Sequence, residues 1–301
     1  FSLTQEIKSF FEILFLIKSL NPNLIHLISL KPTIYGGLVA NFFSKIKFVI
    51  SITGLGYVFN NSNIKALFLK KIFLVLFKSI FKNKNISTIF QNSDNKSYLE
   101  SMGVNFSGKV KIIKGAGVNL KDFKIIEEPK DYFRVIMVSR LLKDKGVREF
   151  AEASKILFEQ KSEIQMIIVG GIDENPMSIK EEDIIEWKNN NNIEWWGFKE
   201  NIPEIMSLAN IICLPSYHEG FPKVLIEAAA ASRAVITTNV PGCRDAIIPD
   251  KTGILIPPKS SLDLSKAIQK LKNDDHKRYK MGLEARKHAE IYFNLDKITK
   301  E

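Results

Sequence analysis

A chain of 301 residues, 45% apolar and 25% charged, has too many core-forming side chains to be disordered and is long enough for two domains. Its formal net charge of +10 calls for an acidic partner, but the lysines are scattered among Asn and Ile, with no clustered arginine or reading motif, which argues against nucleic acid. Cys213 and Cys243 lie far apart without CxxC spacing, so a disulfide scaffold and a conventional zinc site are not expected, and a reducing cytoplasmic compartment fits.

The first residues lack the ordered regions of a signal peptide, and an opening Phe1 in place of Met reads as a piece of something longer. A helix is predicted over Leu3–Leu20, then the strand LIHLIS from Leu24. A helix over Tyr35–Ser44 leads to the strand KFVISIT at Lys47, and a long helix over Ile64–Phe81 leads to ISTIFQ at Ile86. A helix over Asp94–Met102 and a strand over Val110–Lys114 complete this half. The apolar runs Phe10–Leu20 and Ala66–Phe81 are broken by charges and fall short of the roughly 20 residues of a spanning helix. The lysines of the second run suit an anionic membrane surface, and packing of one face into a core is the plainer alternative. The charged stretch LKDFKIIEEPKD suggests a linker at 123–130, between a domain over 1–122 and another over 131–301. The second half then places strands at Phe133, Ile164, Ile193, Ile211, Ala234 and Gly253, with helices between all of them, including Val147–Gln160 and Leu262–Lys272, and a closing helix over His276–Phe293. Such alternation predicts two doubly wound α/β lobes with parallel sheets, whose ligands bind at the carboxyl ends of the strands.

Candidate residues gather at those ends. Arg140 and Lys145 follow the first strand of the second half; a fixed guanidinium fork and a mobile ammonium suit a diphosphate, although both could simply solvate a loop. Gly170 and Gly171 end the second strand and let backbone approach a ligand. Gly197 and Phe198 end the third and offer a base-binding edge, while the neighbouring tryptophans suit the core. The stretch SYHEGFPKVLIEAAAA, Ser216–Ala231, carries the strongest signal. Pro222 fits the first position of a helix, and the amides of Gly220, Phe221 and Lys223 then point at an anion. Glu219 is expected to face a neutral sugar, and Glu227 to accept from the vicinal hydroxyls of a ribose. His218 reads more plainly as an exposed loop histidine than as a base. In the first half, His26, read as ending a strand, joins Lys31, Tyr35, Thr53 and Gly54 on the acceptor side.

The segment HEGFPKVLIEAAA resembles the E-x7-E motif of the retaining glycosyltransferases of family 4, which have the GT-B fold: two doubly wound Rossmann-like lobes facing a cleft. VSRLLKDKG, IIVGG, VPGCRDAI and TGILIPP extend the resemblance, and HLISLKPTIYGGLVA, TGLGYVF and KGAGVNLKDF look like the family's acceptor lobe, so it covers nearly the whole chain. The subgroup resembled extends lipid-linked sugars in bacterial O-antigen, capsule or N-glycan assembly; VGGIDENP is similar to an N-acetylgalactosaminyltransferase of that subgroup. The resemblance implies a nucleotide-sugar donor, a UDP-sugar by expectation, and a lipid-linked or polysaccharide acceptor. It implies that Arg140 and Lys145 bind the donor diphosphate, that Glu219 contacts the transferred sugar and that Glu227 holds the ribose. Asp245 falls where many relatives carry Glu. Compared with the family, one βαβ unit is expected to precede Phe1, and the last helix to continue past Glu301.

No cofactor is expected, and no metal: the sequence NDD at Asn273–Asp275 lies away from any strand end. Three classes compete, namely a peripheral membrane-surface sugar transferase, a sugar-nucleotide 2-epimerase of GT-B shape and a non-catalytic nucleotide-sugar binding module. Retention of Arg140, Lys145, Glu219 and Glu227 favours the first. A glycosidase would have little use for the cations, and a dehydrogenase would need a G-x-G-x-x-G opening a helix.

Overall fold

The computed structural model describes residues 3–56, 59, 64–175, 177–190 and 192–300. Tyr57 and Val58 of TGLGYVF and Pro176 of VGGIDENP lie outside them. Two compact units divide the chain between Lys114 and Gly115, earlier than the boundary expected after residue 122.

In the first unit α1 (Leu3–Leu20), β1 (Leu24–Ile28), α2 (Leu30–Val39), β2 (Lys47–Ile52), α3 (Ile64–Ile80), β3 (Ile86–Phe90), α4 (Ser93–Ser101) and β4 (Val110–Ile112) follow in order. The strands pair in parallel as β1-β2-β3-β4. Period-two alternation sends Phe48, Ile50 and Ile52 of β2 and Ile86 and Phe90 of β3 into one core, shared with Phe77 and Ile80 of α3. Two expectations need correction here. α2 starts at Leu30, well before Tyr35, because Pro32 is tolerated in a first turn and Thr33 Oγ1 donates to Ser29 O at 2.7 Å, closing that turn. His26 does not end a strand: it sits midway along β1, exposed, with Nε2 2.7 Å from Ser51 Oγ on β2.

The second unit contains β5 (Arg134–Val138), α5 (Val147–Glu159), β6 (Gln165–Val169), α6 (Glu181–Asn190), β7 (Ile193–Trp195), α7 (Ile202–Ser207), β8 (Ile211–Leu214), α8 (Lys223–Ala230), β9 (Ala234–Thr238), β10 (Gly253–Ile256), α9 (Ser261–Lys272), α10 (Asp275–Tyr292) and α11 (Leu295–Ile298). Its six parallel strands lie in the order β10-β9-β8-β5-β6-β7. The inner strands β9, β8, β5 and β6 are largely buried on both faces and read as predominantly apolar runs. Ile136, Ile212 and Leu214 point to one core, and Val135, Met137, Ile211 and Cys213 to the other. α5 buries Val147, Phe150, Ala151, Ser154 and Leu157, the three-to-four spacing of an amphipathic helix.

Contrary to the expectation of a helix between all the strands, helices do not fill every connection among the described residues. Among the described residues only a 3-10 turn, Arg244–Ala246, lies between β9 and β10, where Pro241, Gly242 and Pro249 leave no room for a longer one. The stretch read as a linker is fastened to the second unit. Phe123 is in its core, Arg233 donates to Ile126 O at 2.9 Å as well as to Met206 O at 2.9 Å, and Arg278 Nε lies 2.6 Å from Glu128 Oε2.

Candidate active site

The strand order of the second sheet reverses where β5 lies beside β8, with Met137 opposite Cys213. Loops leaving two such strands diverge and open a crevice at the carboxyl ends. The β5 loop carries Arg140 and Lys145 and the β8 loop carries Glu219, so topology alone brings them to one edge.

Several contacts fix this edge. Lys145 ends a single 3-10 turn, with its amide donating to Leu142 O at 3.0 Å. Gly146 follows at φ 75°, and a Cβ there would stand 2.1 Å from the Pro215 carbonyl oxygen, so only glycine lets the two loops press together. The Tyr217 amide and Ser216 Oγ donate to Asp144 O at 2.8 and 3.1 Å, and Thr238 Oγ1 on β9 donates to Ser216 O. Held this way, Lys145 Nζ donates to Glu219 Oε1 at 2.7 Å, with the two side chains 16% and 13% exposed. Arg140 is differently placed. Its Nη1 lies 3.3 Å from Asp173 Oδ2 in the loop after β6, and its side chain is 66% exposed.

α8 opens at Lys223, so Pro222 is the capping residue, one place before the first helical position expected of it; its extended ψ of 119° keeps it half outside. No side chain caps the first amides, which leaves the positive end of the helix to an anion. Phe221 is buried, its ring 5.5 Å from that of Phe293, and offers a ligand only its backbone. Glu227 is buried on α8, with Oε1 3.1 Å from the exposed Lys223 Nζ. Gly242 in the β9 loop packs against the carbonyl oxygens of Gly220 and Glu219, and Asp245 Oδ2 accepts from the Gly242 amide at 3.3 Å, which gives that acid a local holding role.

The glycines at the other strand ends have a structural reason of their own. A Cβ on Gly170 would stand 1.9 Å from Ser139 O, so the close approach demanded there is that of strand β5. The Gly170 amide donates to Gly197 O at 2.9 Å, which joins the β6 and β7 ends, and Phe198, beside Gly171, is 70% exposed. Trp195 and Trp196 pack against the two cores.

Titratable groups nearby feel the same surroundings. Desolvation holds His218 below the usual histidine range, helped by Lys259 and Lys145 and opposed by Asp144 and Glu219. Burial, and next the Glu219 carboxylate, push the Cys243 thiol up to about 12, so it stays protonated. Burial and the hydrogen bond to Glu149 raise Tyr217, which serves as a donor and not as a base.

In the first unit Thr53 and Gly54 follow the carboxyl end of β2, and Lys31 and Tyr35 lie on α2 after β1. Lys31 Nζ lies 3.2 Å from Glu6 Oε1 of α1, and Tyr35 is half-buried against the core. Asp173, Gly146 and Gly242 were missed by sequence reasoning; the D-x-N spacing of Asp173 and Asn175 in GIDENP was the readable signal for a side-chain-closed turn. Among the described residues no group of three or more His, Cys, Asp or Glu could hold a metal ion. A hollow of about 1350 Å³ at the opposite, amino-terminal ends of β5 and β6 is lined by Phe133, Phe158, Gln165 and Tyr279, and none of the predicted residues reaches it.

Comparison with known proteins bears on the family and the fold. The family described as Glycosyl transferases group 1 matches residues 118–288, and that described as Glycosyl transferase 4-like matches residues 1–93. An N,N'-diacetylbacillosaminyl-diphospho-undecaprenol alpha-1,3-N-acetylgalactosaminyltransferase of Campylobacter jejuni is 31% identical over 300 residues, spanning 95% of this chain and 77% of that protein. Sucrose-phosphate synthase of Thermosynechococcus elongatus superimposes with a TM-score of 0.84 at 24% identity, over 100% of this chain and 78% of that one. HepE of Anabaena, crystallised with UDP-glucose, gives 0.79 at 18% identity, over 97% and 79%. With the group 1 match covering the unit that holds the switch-point loops, and a relative matched over 95% of this chain and named for sugar transfer, the chain belongs to the group 1 glycosyltransferases and is a glycosyltransferase of the GT-B fold.

Proposed function

We propose that this glycosyltransferase moves a hexose or N-acetylhexosamine, with retention and without a metal, from a UDP-sugar to a polyprenyl-diphosphate-linked saccharide or a related polysaccharide precursor. The observation that carries this reading is the Lys145–Glu219 pair, 2.7 Å apart at the sheet's switch point and close in sequence to the uncapped start of α8. Rupture of the bond between the sugar's anomeric carbon and the β-phosphate oxygen puts negative charge on the leaving diphosphate. Lys145 and the amides at the start of α8 are the fixed positive groups assigned to it, with the exposed Arg140 swinging in beside them, and preorganised charge of this kind stabilises the transition state most. Glu219 keeps lone pairs for a sugar hydroxyl while holding Lys145, and Glu227 takes the ribose diol. Gly170, Gly171, Gly197 and Phe198 border the nucleoside. The new bond to the acceptor oxygen forms on the face the phosphate leaves, and the departing phosphate oxygen takes the acceptor's proton.

The acceptor class is suggested by the Campylobacter jejuni relative, whose name gives an undecaprenol-diphosphate-linked acceptor. Contacts to it are assigned to Lys31, Tyr35, Thr53 and Gly54, with His26 further down its strand. A peripheral position on the cytoplasmic face of the membrane accords with α3, where Ile64, Phe68, Ile72 and Val75 are exposed among Lys65, Lys71 and Lys78. Among the described residues no helix is long and apolar enough to cross a membrane. The test is a panel of radiolabelled UDP-, GDP- and ADP-sugars offered with undecaprenyl-diphosphate-linked saccharides. Transfer from one UDP-sugar, unaffected by EDTA and giving an α-linkage, is expected; an EDTA-sensitive or inverting reaction contradicts the reading.

A further inference from the structure

Asp173 has no role in the reading above, and its surroundings are built around it. Its Oδ1 accepts from the Asn175 amide at 2.9 Å, and its own amide donates to Ser178 Oγ at 3.1 Å. Asn175 Oδ1 in turn accepts from the Met177 amide at 2.9 Å. The loop is stitched to the β5 loop as well. The Lys143 amide donates to Met177 O at 3.0 Å, and the Ile179 amide donates to Leu141 O at 2.7 Å. Leu142 and Ser178 form an antiparallel bridge. The same β5 loop carries Arg140, so backbone hydrogen bonds fix the carboxylate at the place where the guanidinium emerges. The remaining oxygen, Oδ2, is the one 3.3 Å from Arg140 Nη1.

Resting on the donor-site reading, we infer that Asp173 is a positioning residue that competes with the donor's diphosphate for Arg140. Two physical facts decide the direction. An exposed ion pair is weak, so a diphosphate with more charge displaces it. Arg140 is 66% exposed and Asp173 only 28%, so the arginine is the partner free to swing and the carboxylate stays. Asp173 therefore lowers affinity for the nucleoside diphosphate while keeping Arg140 at the strand end, and it recaptures the guanidinium as the product leaves. The two cations thus face different competitors. Lys145 is held by an acid that also serves the sugar, and Arg140 by one that holds it only until the diphosphate displaces it.

The test is a calorimetric titration of the full chain with UDP, and with inorganic pyrophosphate as a second probe. Four proteins are compared: unaltered, Asp173→Asn, Arg140→Ala and the double variant. Asparagine keeps the Oδ1 acceptor for the Asn175 amide, so the turn survives, and an unchanged melting temperature checks this. Asp173→Asn is expected to bind UDP about two- to fivefold more tightly at low salt. The gain should shrink at high salt and disappear when Arg140 is already alanine. Unchanged affinity in Asp173→Asn, or an equal gain in the Arg140→Ala background, overturns the inference and leaves the donor site standing. If the unaltered chain binds no nucleoside diphosphate, the donor reading falls, and the inference falls with it.

Discussion

The two cations of the site differ in what they cost to remove. Lys145 and Glu219 are 16% and 13% exposed, so deleting the ammonium leaves a carboxylate largely out of water with its partner gone. Lys145→Met should therefore lose both transfer activity and about 1–3 kcal/mol of stability, the cost of an unsatisfied, partly buried charged group. Arg140→Ala breaks an exposed pair, so its stability should change by less than about 0.5 kcal/mol while transfer falls. Denaturant melts of the two variants beside initial rates check the contrast. Equal destabilisation by both would mean that Lys145 is not held as its 2.7 Å contact indicates. The same contrast shows why the site was only partly legible beforehand. Residue type and spacing marked Arg140, Lys145, Glu219 and Glu227 as candidates, but which acid each cation meets depends on loops distant in sequence. The partner of Arg140 is thirty-three residues away and that of Lys145 seventy-four.

Among the elements, the β5–β8 junction holds the candidate loops together. Gly146 is where the turn bearing Lys145 passes under Pro215, with a left-handed φ of 75° and no space for a methyl group. Gly146→Ala should push the β5 and β8 loops apart, weakening UDP binding at least tenfold and lowering stability by about 1–3 kcal/mol. A variant that binds UDP normally at an unchanged melting temperature would show that the junction tolerates the loss of this contact. The inner strands were legible because burial on both faces leaves few alternatives to an apolar run, as in IICL of β8. Boundaries set by single hydrogen bonds were not. Thr33 closes the first turn of α2 ahead of where its apolar period begins. The segment around Glu128 looks like a solvated linker until Arg233 and Arg278 supply its partners from elements far along the chain.

For the molecule as a whole, the charge of +10 and the uncovered apolar residues of α3 point the same way. The joint replacement Phe68→Ser and Val75→Ser touches side chains that are 66% and 67% exposed, so folding should be unaffected. It should weaken co-sedimentation with phosphatidylglycerol-containing vesicles by about tenfold or more, because two apolar side chains lose their burial in the interface. Equal sedimentation of variant and unaltered protein would assign α3 to some other contact. The period-two and three-to-four patterns made two α/β units readable, while the charge pattern misplaced their boundary, since it records solvation and not which side chains pair. The account rests on the second unit gripping a nucleoside diphosphate at the switch point of its sheet. UDP titrated against the unaltered chain and Glu227→Ala tests this most directly. The account predicts measurable binding that the variant weakens by about ten- to a hundredfold, the loss of one or two charge-assisted hydrogen bonds, at a retained fold. Undiminished UDP affinity in a folded Glu227→Ala chain would contradict it.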